Sequence, residues 1–226
     1  MRVLGWLIAG VILGAAAFAA FLWYEPPIVR HPRVEPIVTS GPAGERIESF
    51  VIEVPGDGIA ITNSGKLALA PFPAGIALFT EPRIEKSLAV LAKVRDGRGE
   101  VIGYASELEV FGETDFSKGD VLWNTDWTLV IPARGALFLH QQEHAGELYP
   151  KVIAPTMQSG EDWVGDWTVI TTVGPQPDGR GLVVGGTGEF AGARGSFVEI
   201  DRVTRFTPKG EMFATVRLET ALEVPR

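Results

Sequence analysis

Two short stretches of the sequence combine residue types that carry chemistry in other proteins. Residues 185–195, GGTGEFAGARG, contain a loose G-x-G-x-x-A pattern. That pattern binds the pyrophosphate of a dinucleotide when a strand precedes it and a helix follows. Residues 140–144, HQQEH, match the H-x-x-E-H pattern of inverted zinc peptidases. Both interpretations depend on the secondary structure around the motif.

The glycine-rich stretch is followed by a segment that does not resemble a helix. Residues 195–203, GSFVEIDRV, alternate in polarity and are rich in β-branched side chains, which is typical of a strand. A dinucleotide site needs a helix N-terminus to supply donors and a positive dipole end. We therefore interpret the glycines as a connection between two strands, where they permit positive φ angles and close approach of the chains.

The zinc motif also requires a helix. On a helix, His140 and His144 would share one face and bind one ion, with Glu143 as the base. On a strand, the two histidines would lie about 13 Å apart at roughly 3.3 Å per residue, too far to share an ion. The surrounding sequence favours a strand and a turn, so a zinc hydrolase is kept only as an alternative.

The rest of the chain has the pattern of an antiparallel β protein. Short apolar stretches are separated by Gly, Pro, Asp and Asn, and no long helical period divides them after the N-terminus. Residues 84–110 predict a hairpin with its turn at 96–99, and residues 195–222 predict another with its turn at 207–210. This organisation predicts a sandwich or a barrel.

A faint internal repeat places paired tryptophans on strands. Residues 123–129, WNTDWTL, recur as residues 163–169, WVGDWTV. Residues four apart on a strand share a face, so the tryptophans pack on one side while Asp126 and Asp166 point to the other. Packing is one interpretation, and an aromatic-lined cavity with a nearby carboxylate is the alternative.

The N-terminus predicts a membrane segment. Residues 3–24 carry no charge, and about 20 apolar residues span a hydrocarbon core of roughly 30 Å. Arg2 and the amino terminus favour a cytoplasmic N-terminal end, so the following domain is extracytoplasmic, or periplasmic. We expect a signal anchor over residues 1–24, a Pro-rich linker over 25–44 and a folded domain over 45–226. A cleaved signal peptide is the alternative, since residues 17–19 form a small-x-small site.

Composition excludes several classes of function. The net charge of −8 and the pI of about 5.0 leave no basic surface for phosphate contacts, so no nucleic-acid partner is expected. The absence of cysteine excludes disulfides and thiolate chemistry.

Two segments resemble known families. Residues 180–195, RGLVVGGTGEFAGARG, resemble the V-G-G-T/S-G-x-F-x-x-A-R-G segment of plant dirigent proteins. A related segment occurs in allene oxide cyclases and in bacterial proteins with the same barrel. Residues 97–105, GRGEVIGYA, resemble the G-R-x-x-G-x-Y segment of dirigent proteins.

The resemblance implies an eight-stranded antiparallel β-barrel that forms a homo-trimer and encloses an apolar pocket. Such proteins hold a reactive apolar molecule in one conformation, without a cofactor or a metal ion. Arg194 and Tyr104 occupy the matching positions, and with Asp126 as an inward carboxylate they form the predicted catalytic set. The catalytic cysteine of the cyclases has no counterpart here.

The sequence therefore predicts a membrane-anchored all-β barrel that binds a small apolar ligand and acts as an isomerase, a cyclase or a dirigent-like protein. The alternative is a non-catalytic module that binds a ligand or a partner. A pocket with convergent arginine, tyrosine and carboxylate groups would favour the first. A barrel filled by large side chains would favour the second.

Overall fold

The computed structural model describes residues 2–24, 33–63, 77–79, 87–112, 122–144 and 146–223. The chain divides into two units, Met1–Pro32 and Arg33–Arg226. The first unit contains helix α1, Arg2–Tyr24, whose segment Val3–Tyr24 is long and apolar enough to cross a membrane. At about 1.5 Å per residue this length matches a bilayer core of roughly 30 Å. Both a membrane anchor and a signal sequence fit this helix.

The second unit is built from β-strands, as the sequence predicts. The strands in chain order are β1 (Thr39–Ser40), β2 (Arg46–Val54), β3 (Gly58–Asn63), β4 (Ala77–Phe79), β5 (Ser87–Arg95), β6 (Val101–Phe111), β7 (Leu122–Ile131), β8 (Gly135–His144), β9 (Trp163–Ile170), β10 (Thr172–Gly174), β11 (Gly181–Gly186), β12 (Arg194–Phe206) and β13 (Met212–Glu223).

Eight of these strands close into an antiparallel barrel, which confirms the predicted fold class. The order around the cylinder is β2, β13, β12, β11, β8, β7, β6 and β5. A pairing between Val51 of β2 and Arg95 of β5 closes the circle. The remaining strands extend the wall: β9 pairs with β12, β10 with β8, β3 with β5, and β1 with β2. Strand β4 pairs with β3 in the parallel sense.

Both predicted hairpins are present in the described part of the chain. Strands β5 and β6 pair from Ser87 to Arg95, and Asp96 stabilises their turn by accepting hydrogen bonds from the amides of Arg98 and Glu100. Strands β12 and β13 pair along almost their whole length. The long pairings fix the register, which decides the face on which each side chain lies.

The glycine-rich stretch connects two strands, as interpreted from the sequence. Strand β11 ends at Gly186, a short 3-10 turn covers Gly188–Phe190, and β12 begins at Arg194. Gly195 has a φ of 132°, and a Cβ atom there would collide with the carbonyl oxygen of Ala221. The stretch therefore does not form a dinucleotide-binding turn, because a strand and not a helix follows the glycines.

The middle of the barrel is filled by apolar side chains. These residues are almost fully buried and come from five strands: Phe50, Leu129, Leu137, Leu139, Phe197 and Leu218. Burial of each such side chain stabilises the fold by about 1.5–3 kcal/mol. The predicted apolar pocket therefore does not occupy this middle layer.

One end of the barrel contains an ion-pair network, which we call the basal network: Arg33, Arg46, Glu48, Arg134 and Glu189. Arg134 is 1% exposed and binds Glu48 through two nitrogens at 2.6 and 2.8 Å. Arg46 binds Glu48 at 3.0 Å and Glu189 at 2.6 Å, and Arg33 binds Glu189 at 3.0 Å. Each buried carboxylate at this end is thus neutralised by arginine.

A helical segment lies near the opposite end of the barrel. A π-helical turn, Tyr149–Ile153, continues into helix α2, Ala154–Ser159. Val152 and Ile153 pack in a second apolar cluster with Val203, Phe206 and Ala214. The sequence analysis did not predict this helix, because the segment is too short to show a helical period.

Candidate functional site

Five carboxyl side chains lie inside the barrel between the middle layer and the second apolar cluster. We call them the interior acidic cluster: Glu107, Glu109, Glu143, Glu199 and Asp201. Glu107, Glu143 and Glu199 are buried, and the other two residues are partly buried. They come from three strands, β6, β8 and β12.

Strand register brings these carboxyl groups together. Glu109 pairs with Thr125, and Thr125 pairs with Gln141, so β6, β7 and β8 present one polar layer to the interior. On β12, Glu199 follows the buried Phe197 by two residues and therefore faces the same side of the strand. On each of the three strands, the acids therefore occupy inward-facing positions that follow inward-facing apolar residues.

Neutral donors hold Glu199 in place. Its Oε2 accepts hydrogen bonds from the indole nitrogen of Trp127 at 2.8 Å and the amide nitrogen of Gln141 at 2.5 Å. The Thr172 hydroxyl donates to Oε1 of Gln141 at 2.6 Å and accepts from the backbone amide of Glu199 at 2.7 Å. Because Thr172 occupies the Gln141 oxygen, the amide NH₂ of Gln141 is directed towards the carboxyl groups.

Glu143 and Asp201 complete one side of the cluster. Oε2 of Glu143 accepts a hydrogen bond from the Thr125 hydroxyl at 3.0 Å. Oδ1 of Asp201 is enclosed and has no hydrogen-bond partner. The residue as a whole keeps some exposed surface, but the Oδ1 atom does not. An orphaned buried acceptor of this kind costs about 1–3 kcal/mol unless another group compensates it.

The carboxyl oxygens form two triads that share Glu143. Within the triad Glu143, Glu199 and Asp201, one oxygen from each residue lies within 4.8 Å of the other two. The triad Glu107, Glu109 and Glu143 satisfies the same limit. These separations let several carboxyl groups contact one small ligand at once.

Burial and mutual repulsion change the acidity of the cluster. Burial raises the pKa of Glu109 to about 8 and that of Glu199 to about 7, the latter against hydrogen bonds from Trp127 and Gln141. Burial, reinforced by neighbouring carboxylates, also raises the pKa of Glu107, Glu143 and Asp201. Within the described residues, no lysine or arginine forms an ion pair with any of the five. The cluster is therefore held partly protonated near neutral pH when it is empty.

The basal network behaves in the opposite way. Burial opposes ionisation of Glu189, but hydrogen bonds from Arg46 and Arg134 lower its pKa. Carboxyl groups at the basal end thus accept hydrogen bonds from arginine, whereas the described donors to the interior acidic cluster are neutral.

The three residues predicted as catalytic lie on the outer wall. Arg194 is exposed and donates to the carbonyl oxygen of Val184 at 2.8 Å. Tyr104 is 59% exposed and pairs with Val130 on the neighbouring strand. The Asp126 side chain is 66% exposed and binds Nδ1 of His140 at 2.9 Å. The structure does not bring the three residues together. Asp126 does not point inward as expected, because both Tyr104 and Asp126 occupy outward-facing positions of their strands.

The H-x-x-E-H motif lies on strand β8, as the β pattern favoured. Alternation along the strand puts Glu143 inside the barrel and His140 on the outer wall. Glu143 and His140 therefore face opposite sides of the wall, and the peptidase arrangement does not form.

The tryptophan repeat contributes to packing on both strands. Trp127 is buried in the barrel, and Trp163 and Trp167 pack against the second apolar cluster. Asp166 lies on the exposed side and binds Arg202 at 2.8 Å. The packing interpretation is confirmed, with the addition that Trp127 donates its N–H to Glu199.

The interior acidic cluster was not predicted from the sequence, although a signal for it exists. On β8 the inward series runs Leu137, Leu139, Gln141, Glu143, and the acids of β12 continue from Phe197 in the same way. A carboxylate in phase with buried apolar residues indicates an interior acid.

A separate cavity of about 340 Å³ lies at the basal end of the barrel. It is lined by Ala43, Gly44, Glu45, Arg46, Leu222 and Glu223. None of these residues belongs to the interior acidic cluster, and the convergent hydrogen bonds described above are at the other end. We therefore take the interior acidic cluster, and not this cavity, as the candidate site.

Comparison with known proteins gives weak likenesses. No protein-family model and no curated protein matches the chain. Among solved structures, a pyocyanin demethylase is 13% identical with a TM-score of 0.41, covering 78% of this chain and 99% of its own. The pterocarpan synthase dirigent protein PsPTS1 is 14% identical with a TM-score of 0.42, covering 80% and 94%. A heme-binding cyclase of neoabyssomicin biosynthesis is 8% identical with a TM-score of 0.35, covering 85% and 70%. These TM-scores are too low to support a fold or a function, so the barrel is identified from the strand pairing of this chain.

The raised pKa values predict that stability falls as pH rises. Between about pH 5 and 8 the folded chain keeps protons on Glu109 and Glu199 that the unfolded chain has lost, so unfolding becomes more favourable. For chelator-treated full-length protein in detergent, we expect a loss on the order of a few kcal/mol across this range. Chemical unfolding at a series of pH values measures it.

The substitution Glu199→Gln should flatten this pH profile, because it removes one of the groups that titrate. Glu100, 63% exposed in a turn, supplies the matched control Glu100→Gln, which should keep the wild-type slope. A wild-type stability that is constant or rises from pH 5 to 8 would contradict the prediction.

Proposed function

We propose that this protein binds a small, largely apolar molecule at the acidic end of its barrel and acts on it as an isomerase or cyclase. A dirigent-like role, in which the barrel only fixes the conformation of a reactive molecule, belongs to the same proposal. No redox cofactor is needed for either. The carboxyl groups of the interior acidic cluster contact the polar part of the bound molecule.

The observation that carries the proposal is the position of convergent polar groups directly beside an apolar layer. Ligand sites are mostly apolar enclosures with a few polar groups that fix orientation. Here Leu139 and Phe197 supply the apolar side, and Glu143 and Glu199 follow them on the same strands. A molecule with an apolar body and one or two oxygen atoms fits this arrangement.

The hydrogen bonds around Glu199 support a positioning role. Trp127 and Gln141 restrict the orientation of the carboxyl group, and Thr172 holds Gln141 and the Glu199 backbone amide. Preorganised groups accelerate a reaction because they need little reorganisation in the transition state. A non-catalytic binding module is the alternative, and the filled middle of the barrel is the observation that favours it.

Ligand capture tests the proposal. Full-length protein in detergent is incubated with a lipid and metabolite extract, and mass spectrometry identifies compounds that stay bound and compounds that change. We expect a bound compound whose recovery falls at least tenfold in Glu143→Gln and Glu199→Gln, because each variant removes a convergent carboxyl group. Conversion of that compound indicates catalysis, and retention without conversion indicates the binding module.

Outer-wall variants supply matched controls. Asp126→Asn makes the same acid-to-amide change on the exterior, and Tyr104→Phe and Arg194→Lys alter the other predicted residues. We expect all three to keep wild-type recovery. Loss of the compound in these variants, with normal recovery in Glu199→Gln, would place the site on the outer wall and support the catalytic assignment of Arg194, Tyr104 and Asp126.

We also propose that the barrel forms a homo-trimer through its outer wall. Neighbouring strands β5, β6, β7, β8 and β11 carry exposed apolar side chains: Leu91, Tyr104, Leu108, Val110, Val130, Phe138, Leu182 and Val184. Contiguous exposed apolar surface commonly marks an interaction site. The Asp126–His140 pair lies in the same wall and adds a polar contact for a partner.

Native mass spectrometry of full-length protein in detergent checks the assembly. We expect a trimer for the wild type and a monomer for Leu108→Glu, because a charge buried in an apolar interface is costly. Val164→Glu is the control, since Val164 is 74% exposed on β9, outside this wall. A monomeric wild type would refute the proposal.

For localisation, we propose that α1 is an uncleaved single-pass anchor and that the barrel lies outside the cytoplasm, in the periplasm. Arg2 precedes the apolar segment and α1 has no charge in its last turn, which favours a cytoplasmic N-terminus.

An alkaline phosphatase fused after Arg226 tests this topology, because that reporter folds to an active form only outside the cytoplasm. We expect an active reporter in the membrane fraction, with Met1 or Arg2 still present in the purified chain. An inactive reporter would reverse the orientation, and a mature chain that lacks α1 would establish a signal peptide.

A further inference from the structure

The basal network and the interior acidic cluster differ in the compensation that described residues give to their carboxylates. Glu48 at the basal end contacts two guanidinium groups, at 2.6 Å from Arg134 and 3.0 Å from Arg46. In the described part of the chain, the interior acidic cluster accepts hydrogen bonds from the neutral side chains of Trp127, Gln141 and Thr125, and Glu107 and Glu109 are hydrogen-bonded to each other. Burying several carboxylates without a cation is costly, and the described residues supply no lysine or arginine to these five.

Asp201 has an acceptor atom that no described residue satisfies. Its enclosed Oδ1 atom has no hydrogen-bond partner, while its carboxyl group lies within 4.8 Å of those of Glu143 and Glu199. The same neighbours are already oriented, since Thr125 fixes Oε2 of Glu143 and Trp127 fixes Oε2 of Glu199. Outer hydrogen bonds that orient ligating carboxylates are a regular feature of metal sites.

We propose that Glu143, Glu199 and Asp201 bind a divalent calcium ion inside the barrel. Oxygen donors alone select hard cations, and the described triad has no imidazole or thiolate to favour zinc or copper. Calcium fits better than magnesium, because magnesium dehydrates reluctantly and usually keeps several waters. The two positive charges compensate most of the charge of three carboxylates.

The second triad extends the site. Glu107 and Glu109 approach Glu143 within the same 4.8 Å limit, so Glu143 belongs to both triads. These two groups supply additional oxygen ligands beside Glu143. Calcium accepts six to eight oxygens, so a larger coordination shell suits it.

Calcium binding is measured directly, without any organic ligand. Chelator-treated full-length protein in detergent is titrated with CaCl₂ by calorimetry, and thermal unfolding is recorded with and without 1 mM calcium, a concentration on the order of the weakest protein calcium sites. We expect one saturable site and a higher unfolding temperature with calcium. Affinity should fall at least tenfold in Glu143→Gln and Asp201→Asn. The exposed residues supply the matched controls Asp126→Asn and Asp166→Asn, which should bind as the wild type does.

Terbium luminescence locates the ion independently of variants that remove a carboxyl group. Terbium replaces calcium and emits when a nearby indole absorbs light, and Trp127 contacts Glu199 directly. We expect calcium to quench the emission by displacement, and Trp127→Phe to lower it several-fold while Trp163→Phe does not.

Absence of saturable calcium binding overturns the inference, as does binding that Asp201→Asn leaves unchanged. Emission that depends on Trp163 and not on Trp127 also overturns it, because the ion would then lie elsewhere. Ligand capture and calcium titration are separate measurements. Failure of the calcium proposal therefore leaves the proposed function standing, and failure of the proposed function leaves the calcium proposal standing.

Discussion

Compensation of buried charge is the constraint on which this barrel depends. A closed eight-stranded cylinder has an interior that water cannot easily enter, so each carboxyl group placed there needs a partner or a proton. At the basal end, Arg134 supplies that partner with two hydrogen bonds to Glu48 and two to Glu189. At the other end, the described neighbours of the acids are neutral. The same wall thus encloses one region whose carboxylates pair with arginine and another, the acidic region, whose described neighbours are neutral.

The interior acidic cluster lowers the stability of the fold, and this loss of stability indicates a function. Acids of this kind lower stability, and apolar residues would pack the same positions without penalty. Val203 and Phe197, on the same strand as Glu199 and Asp201, show that apolar side chains fit these interior positions. The sequence instead has acids on three different strands at one level of the barrel. Stability is commonly given up at functional sites, where polar groups are needed for binding or chemistry.

Much of the architecture could be predicted from the sequence. Alternation and turn residues predict the β5–β6 and β12–β13 hairpins, and the strand after residues 185–195 excludes a dinucleotide fold. The site could not be predicted in this way, because the convergence of Glu107, Glu143 and Glu199 depends on the register between strands that are far apart in sequence. Arg194 and Tyr104 were chosen by resemblance, and a motif can mark a fold through its glycines and turns without placing its polar residues inside. For Asp126 the sequence itself contains the contrary signal. It lies next to Trp127, so alternation along β7 directs it outward when Trp127 points inward, and a position inside a pocket contradicts that alternation.

Phase along a strand is therefore a better guide to the interior of a barrel than residue type. In β8, Gln141 and Glu143 share the phase of Leu137 and Leu139, whereas His140 shares the phase of the half-exposed Phe138. Within one five-residue motif, alternation separates an interior acid from an exterior histidine. The apparent zinc motif thus divides into two unrelated features, an outer Asp126–His140 pair and an inner carboxylate. Because β-strand geometry forces that division, any ligand of Glu143 must be recognised from the barrel interior, together with the acids of β6 and β12.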